Sequence, residues 1–452
     1  MISRWFPDAI LISEFEPDGL SNIVQAASSF DILFIRAKSE QQLNSLIEIN
    51  LISDFKGLVV SPFEPSRSDI NYVVVPLEEM EKTEVRLIDE FYPEPKLPKK
   101  IIGITGTNGK TSTCWYCMET GKLMGVRVLY MGTIGVYLNG EKKPDKILTT
   151  TPSLLSLRRL QHKYDQEVDV IALEVSSHAL AQKRIKGIDF DVVGWTNFTQ
   201  DHLDFHGDMD SYFGAKLKIL SYAKANEIIV SRQEDELIKK IQDHKKVKPT
   251  IDLTGLNSDI PLHFSNGFLR SNLEMAITCM SQLKNLTSLG DIGSISSPPG
   301  RFEVIQKAPV LFIIDYAHTP DALKKLLEQT RRVYLNPFVW TVFGCGGDRD
   351  KRKRPLMLEA ALAGSDQVIV TSDNPRTENP TDIMNDIVGV SQRVEKEVDR
   401  KRAIELAFSL AKKGDPKKPL IVVIAGKGDE DYQEIDGVRH PFSDVKIVRE
   451  LV

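Results

Sequence analysis

The chain carries only four cysteines in 452 residues, which suits a compartment where disulfides are rare. It has no apolar run near the roughly 18 to 20 residues that a membrane-spanning helix needs. Its first residues, Met-Ile-Ser-Arg-Trp-Phe-Pro, lack a secretory signal pattern, so a cytoplasmic location is expected. It also lacks a long block of one charge: 58 basic against 63 acidic residues leave a net charge of -5, and neither nucleic acid nor membrane is an expected partner. No internal repeat or low-complexity tract interrupts it. At 41% hydrophobic and 27% charged the composition supports real cores, and the length suggests about three domains. Cys114 and Cys117 have the spacing of a redox pair. They fall at i and i+3 of a helical stretch with no second pair or nearby His, so core packing is expected.

Proline marks the breaks. Up to about residue 90, the runs Ile32-Leu-Phe-Ile35, Gly57-Leu-Val-Val60 and Tyr72-Val-Val-Val-Pro76 alternate with helix-like polar stretches, the pattern of a small α/β domain. Phe91-Tyr-Pro-Glu-Pro-Lys-Leu-Pro98 then favours an extended linker, because each proline ring fixes φ and removes a donor. A second break, Ser296-Ser-Pro-Pro-Gly300, follows a helical segment from Asn272 to Leu286. Domains are therefore expected at residues 1–97, 98–298 and 299–452. In the third, strands Val310 to Asp315, Val339 to Phe343, Gln367 to Thr371 and Leu420 to Ala425 alternate with helices, predicting a doubly wound parallel sheet.

The segment Gly103-Ile-Thr-Gly-Thr-Asn-Gly-Lys-Thr111 reads as a phosphate-binding loop, since it follows an apolar strand and opens a helix. Backbone N–H groups and the helix N-terminus would face phosphate oxygens, Lys110 would reach the β- and γ-phosphates, and Thr111 would ligate Mg²⁺. The strict pattern G-x-x-x-x-G-K-[ST] fails by one residue, because Ile104 stands where its first glycine belongs.

Two further segments carry chemistry. Ile171-Ala-Leu-Glu-Val-Ser-Ser-His178 reads as a buried strand ending in a carboxylate. Beside a phosphate loop, Glu174 is expected to hold Mg²⁺ directly or through water. Asn197-Phe-Thr-Gln-Asp-His-Leu-Asp-Phe-His-Gly-Asp208 is dense in oxygen and nitrogen donors, and His202 is the residue expected to bind metal. Soon after comes Lys216, read as beginning a helix; taken alone it would be a solvated lysine.

Taken together, Gly-Thr-Asn-Gly-Lys-Thr, Glu-Val-Ser-Ser-His, Asn-Phe-Thr-Gln-Asp-His-Leu-Asp-Phe-His-Gly-Asp-Met, Asp-Tyr-Ala-His-Thr-Pro-Asp and Asp-Asn-Pro-Arg resemble, in order, the motifs of the Mur ligase family. The likeness runs from about Ile101 to Tyr432 and accounts for the loop, which in this family starts at the position of Gly106. It implies a three-domain α/β architecture: a small N-terminal α/β domain for the UDP-sugar, a central P-loop parallel-sheet domain for ATP and a C-terminal Rossmann-like domain for an amino acid. It also implies an ATP-dependent amide-forming ligase of peptidoglycan synthesis, acting through an acyl phosphate as a monomer on small molecules. Lys110, Glu174, His202 and Lys216 would be catalytic. Metal would be held by Thr111, Glu174, His202 and Lys216, the last as a carbamate formed with CO₂; Lys218 is the nearby alternative. ATP would be bound by Gly106, Thr107, Asn108, Gly109, Lys110, Thr111 and Ser112, with Arg301, Asp315 and His318 from the C-terminal domain. The UDP-muramoyl peptide would meet Thr150, Thr151, Ser176, Gln182 and Arg184.

The resemblance extends to the third peptide residue. Asp-Asn-Pro-Arg is typical of the branch that adds meso-2,6-diaminopimelate, so Arg349, Asp373, Asn374, Pro375, Arg376, Gly426 and Glu430 are the expected amino-acid contacts. Arg376 and Arg349 would take the carboxylate that lysine lacks. The competing readings are a lysine-adding ligase of the same branch, a ligase like folylpolyglutamate synthetase, and an inactive Mur-like regulatory protein. Two departures stand out: the Asp-Ser-Arg triplet usual before Ile32 is missing, and Asp429 replaces a common His.

Overall fold

Strands form where β-branched and aliphatic residues run together between polar turns. The computed structural model describes residues 2–22, 24–94, 99–225, 227–253, 264, 267–284, 292–388 and 394–451. In the first stretch Leu20–Ser21, Ile32–Phe34, Leu58–Ser61 and Asn71–Val74 pair in that order, all parallel. Successive strand side chains point to opposite faces, and both faces are covered. Ile32, Phe34, Leu58 and Val60 pack with Met80, Leu87 and Ile88 of helix Leu77–Phe91. Leu33 and Val59 pack with Leu43 and Ile47 of helix Glu40–Asn50, which Ser39 starts by accepting a hydrogen bond from the Gln42 N–H.

An eight-stranded sheet follows, in the order Lys246–Pro249, Glu227–Val230, Val192–Trp195, Lys100–Thr105, Val170–Glu174, Val128–Gly132, Gly135–Leu138 and Glu141–Lys142. The first six strands are parallel and the last two return antiparallel. Every residue of Val170–Glu174 is buried, the pattern of a strand with both faces covered. Because Lys100–Thr105 and Val170–Glu174 are neighbours, the phosphate loop and Glu174 leave the sheet side by side.

The third sheet has the order Glu303–Lys307, Val310–Asp315, Leu420–Ala425, Phe338–Phe343, Gln367–Val370 and Val394–Lys396, antiparallel only at the first strand. Leu420–Ala425, wholly buried, lies between two strands that it matches residue for residue. A separate hairpin, Tyr432–Ile435 with Val438–Pro441, follows it. The expected strands are all present within a residue or two. The helix expected from Asn272 runs instead Gly267–Leu283; its expected end at Leu286, and the linker end and boundary at 97/98, lie outside the described residues.

By internal contacts the chain divides into two compact units, Met1–Lys110 with Cys117–Pro249 and Thr278–Ser288, and Thr111–Tyr116 with Thr250–Ile277 and Leu289–Val452. Cys114 and Cys117 are buried and free of disulfide, as core packing requires. Among the described residues no helix is long and apolar enough to cross a membrane.

Candidate active site

The phosphate loop joins strand Lys100–Thr105 to helix Lys110–Leu123 through Gly109, whose φ of 84° is the left-handed conformation that glycine adopts freely. Segment 196–199 forms its second wall. The Thr107 N–H donates to the Asn197 carbonyl (3.1 Å) and the Thr107 hydroxyl to the Thr199 carbonyl (3.0 Å). Asn197 accepts from the Asn108 N–H (2.9 Å), and its amide returns a bond to the Asn108 carbonyl (3.0 Å). Asn197, read from sequence as part of a ligand-rich cluster, is thus committed to shaping the loop. Thr111 and Ser112 are buried in the first helical turn.

Two lysines converge on one carbonyl. Lys110 Nζ donates to the carbonyls of Gly106 (3.0 Å) and Thr107 (2.8 Å), and Lys216 Nζ also donates to Gly106 (2.8 Å). Lys216 is 1% exposed. Burial, then the charge of Lys110, push its pKa well below the ordinary lysine range, with Asp201 opposing. Its placement corrects the sequence reading: Lys216 ends helix Met209–Leu217, because the Asp208 carboxylate caps that helix by accepting from the Ser211 N–H.

Glu174 is fully buried at the end of its strand and accepts from the Tyr130 hydroxyl, the Thr133 N–H (2.9 Å) and the Thr133 hydroxyl (3.2 Å). His202 sits at φ 53°, its Nε2 3.4 Å from Asp201 Oδ2, with the His178 ring edge-on at 4.8 Å. Desolvation of its partly covered ring, which keeps 43% exposure, and the charges of His178, Lys110 and Lys216 lower its pKa to about 4 against the pull of Asp201; an imidazole unshifted from its ordinary range would also be mostly uncharged near neutral pH. Among the described residues no three His, Cys, Asp or Glu groups form a metal site. Glu174 offers the hard carboxylate oxygen that Mg²⁺ takes, whereas a neutral imidazole such as that of His202 is a ligand Mg²⁺ uses less readily than oxygen.

Threonine links this group to the expected peptide contacts. The Thr133 hydroxyl meets Thr150 (3.3 Å) as well as Glu174. Thr151 and Ser176 share two hydrogen bonds, hydroxyl to hydroxyl at 3.1 Å and Ser176 N–H to the Thr151 hydroxyl at 2.9 Å. Arg184 donates twice to Gln182 Oε1 (3.1 and 2.9 Å) and reaches the Thr151 carbonyl (3.4 Å). All five expected residues therefore sit together. Sequence reading missed Tyr130 and Thr133, which hold Glu174 from a neighbouring strand and turn.

The other expected residues line the carboxyl ends of the third sheet, where open α/β sheets bind ligands. Asp315 accepts from the N–H groups of Phe302 and Ala317 (2.8 Å each). It anchors the turn beside Arg301, whose guanidinium lies 4.1 Å over the Tyr316 ring. His318 Nδ1 is 3.0 Å from the Tyr316 carbonyl. Asn374 donates to Glu430 (2.9 Å) and accepts from Lys427, which also reaches Glu430 (3.0 Å each). Arg376 donates from its guanidinium to the Gly347 carbonyl (2.7 Å). Arg349 is exposed nearby: a Cβ built on Gly346 would lie 2.9 Å from Arg376 Nη1 and 3.7 Å from Arg349 Cγ. Pro375 is buried, and the Gly426 N–H donates to the Asp315 carbonyl (3.1 Å).

Beneath this edge lies a charge pair with no sequence signal. Arg400, fully buried, forms two bonds to Asp444 (2.9 and 2.8 Å) and donates to the carbonyls of Ala425 (3.0 Å) and Ser372 (3.4 Å). It also lies 3.8 Å from Asp373. Removing one partner strands a buried charge, costing about 3 to 5 kcal/mol. Asp444→Ala is therefore expected to lower the melting midpoint by roughly 10 °C, read by calorimetry; a drop under about 2 °C would contradict it.

A phosphate loop beside a strand-end carboxylate, and in the same chain a sheet edge carrying both arginines and carboxylates, are compatible with an ATP-dependent ligase. The Mur ligase middle domain pattern matches residues 104–279 and the Mur ligase, glutamate ligase domain pattern matches residues 300–428. The chain belongs to the Mur ligase family and is an ATP-dependent, amide-forming ligase. It is 36% identical over 417 residues to the UDP-N-acetylmuramoyl-L-alanyl-D-glutamate–2,6-diaminopimelate ligase of Aquifex aeolicus, covering 86% of this chain and 84% of that protein. A solved structure of an enzyme with the same name is 31% identical, covering 99% of this chain and 97% of the other at a TM-score of 0.55. The MurF ligase from Thermotoga maritima in complex with ADP shares the fold at a TM-score of 0.63 with 17% identity, covering 91% and 94%. Folylpolyglutamate synthase of Mycobacterium tuberculosis, complexed with ADP and AMPPCP, reaches 0.59 with 20% identity but covers 76% of this chain and 92% of its own.

Proposed function

We propose that the chain joins meso-2,6-diaminopimelate to the D-glutamate of UDP-N-acetylmuramoyl-L-alanyl-D-glutamate in peptidoglycan synthesis, acting as a monomer in the cytoplasm. Residues 1–97 would take the UDP-sugar, 98–298 ATP and 299–452 the amino acid. The observation that carries this reading is Arg376, a guanidinium fixed at the sheet edge with Arg349 and the Asn374–Glu430 pair beside it. The fork reads a carboxylate, and Glu430 offers a partner for an ammonium. L-Lysine has no carboxylate at its distal end. Burying it against Arg376 would leave two cations facing each other, so the same arginine selects and rejects.

A carboxylate is a poor electrophile, so the D-glutamate oxygen first attacks ATP's γ-phosphorus and ADP leaves with the P–O electrons. The neutral amine then attacks the carbonyl carbon, phosphate leaves with the C–O electrons, and the amine's surplus proton passes to the departing phosphate or to water. Lys110 and the N–H groups of Gly109 to Ser112 would bind the phosphates on the loop that Gly106, Thr107 and Asn108 shape, and the Thr150, Thr151, Ser176, Gln182 and Arg184 group would hold the peptide. Mg²⁺, when bound, neutralises charge that builds on the transferring phosphoryl group. Glu174 and His202 are its proposed ligands, with the Thr111 hydroxyl on the nucleotide side and Lys216 as a carbamate. That last assignment is supported by Lys216's suppressed basicity, since CO₂ adds only to an uncharged amine. Arg301, Asp315 and His318 would meet the nucleotide.

Phosphate release should appear only when ATP, UDP-N-acetylmuramoyl-L-alanyl-D-glutamate and meso-diaminopimelate are all present. Preference for L-lysine in the same panel would overturn the third-residue assignment. Silence with every combination would overturn the enzyme reading itself.

A further inference from the structure

We propose that the hairpin of Tyr432–Ile435 and Val438–Pro441 braces the Asp373–Arg376 segment, and that Gln433 is the positioning residue through which it sets affinity for the diamino acid. The inference rests on the amino-acid role just given to that segment.

Five hydrogen bonds join the hairpin and its turn to residues 372–376, four of them to the Asp373–Arg376 segment. Gln433 Nε2 donates to the Asp373 carbonyl (2.6 Å) and to the Ser372 hydroxyl (3.2 Å). The Glu434 N–H donates to Asn374 Oδ1 (2.9 Å). The Arg376 N–H donates to the Glu434 carbonyl (3.0 Å), and the Asp436 N–H donates to the Arg376 carbonyl (2.7 Å). The last two form a parallel bridge between Arg376 and Ile435. They hold Arg376 at φ 51°, a left-handed conformation that an arginine keeps only where its surroundings impose it.

Packing supplies little restraint on one side. A cavity of about 590 Å³ opens against the same segment, with Ser372, Pro375, Gln433 and Ile435 in its wall. The hydrogen bonds therefore carry the restraint there, and those of Gln433 are the two made by a hairpin side chain. Losing them leaves the hairpin's backbone bonds and those of Asn374 in place but unties the Asp373 carbonyl and the Ser372 hydroxyl, so that Asp373 can shift against Asn374. A displacement below 1 Å is enough to misplace a substrate-holding group.

The test compares Gln433→Met, similar in length but without an amide, and Gln433→Glu, similar in shape but without the donor. Each is expected to raise KM for meso-diaminopimelate about tenfold, the worth of two ordinary hydrogen bonds, with kcat and KM for ATP within about twofold. Without substrates, amide hydrogen exchange across residues 373–378 should accelerate by a similar factor while residues 315–321 stay unchanged. Unaltered exchange at 373–378 overturns the brace. So does an equal rise in KM for ATP with a lowered melting midpoint, which signals a merely structural role. Should the native enzyme prefer another amino acid, the diaminopimelate assignment falls by itself. The exchange result still decides the brace, and KM is then read with the amino acid used.

Discussion

Lys216→Ala is expected to cost roughly 10³-fold or more in turnover, in the range of losing a group that stabilises charge in the transition state. Short carboxylates such as formate or acetate should restore part of it. Lys216 is buried, points at the Gly106 carbonyl of the phosphate loop and shares that carbonyl with Lys110. An ammonium there would face both desolvation and a second cation, so the chain holds an amine whose charged form is disfavoured. Such a residue is a liability to the fold. Between the folded and the ordinary lysine pKa the unfolded chain carries a proton that the folded chain lacks, so this residue's contribution to stability improves as pH rises through that window. In the proposed carbamate role, the uncharged amine takes up CO₂ with loss of a proton and becomes an anionic oxygen donor. Two controls separate this from a packing effect. Lys216→Met, which keeps the buried stem, should be as inactive as alanine while holding its melting midpoint close to native, and Lys216→Arg, which forms no such carbamate, should be as inactive as alanine. Turnover within tenfold of native for Lys216→Ala, or rescue by chloride equal to that by formate, would sink the carbamate assignment.

Residues that act through local pattern are legible in the amino-acid sequence. The strand-loop-helix context announces the phosphate loop, and a buried run ending in a carboxylate announces Glu174, because each signal is contained within ten residues. Signals that depend on distance are not legible in this way. Arg400 and Asp444 are 44 residues apart, and neither neighbourhood hints that a buried pair will support the end of the Ser372 to Arg376 segment. The start of helix Met209–Leu217 is obscured for a smaller reason, an Asp208 cap hidden among residues that read as metal donors. The donor-rich segment 197–208 likewise divides by tertiary context. Asn197 shapes the loop, Asp208 caps a helix and His202 remains available as an uncharged imidazole. Composition alone cannot sort donors that will bind backbone from donors that will bind a ligand.

Arg376→Ala is expected to raise KM for meso-diaminopimelate roughly 100-fold, since truncating one member of a desolvated, hydrogen-bonded charge pair costs about 2 to 5 kcal/mol. KM for ATP should move less than about twofold, because the guanidinium contacts the Gly347 loop, which holds Arg349 rather than a nucleotide motif. Use of L-lysine should stay constant or improve, so the ratio of kcat/KM values for the two amino acids is the sensitive readout. Arg376→Lys tests the geometry. It retains the charge but loses the fork, and should recover only part of the discrimination. The backbone calls for one further control, because Arg376 is left-handed at φ 51° and alanine inherits that strain. Arg376→Gly relieves it. If glycine and alanine raise KM equally, the effect belongs to the lost guanidinium; if glycine restores native KM, Arg376 acts by shaping its loop. An unchanged KM for diaminopimelate in both variants would remove Arg376 from the specificity site and leave Arg349 and Glu430 to account for the choice of amino acid.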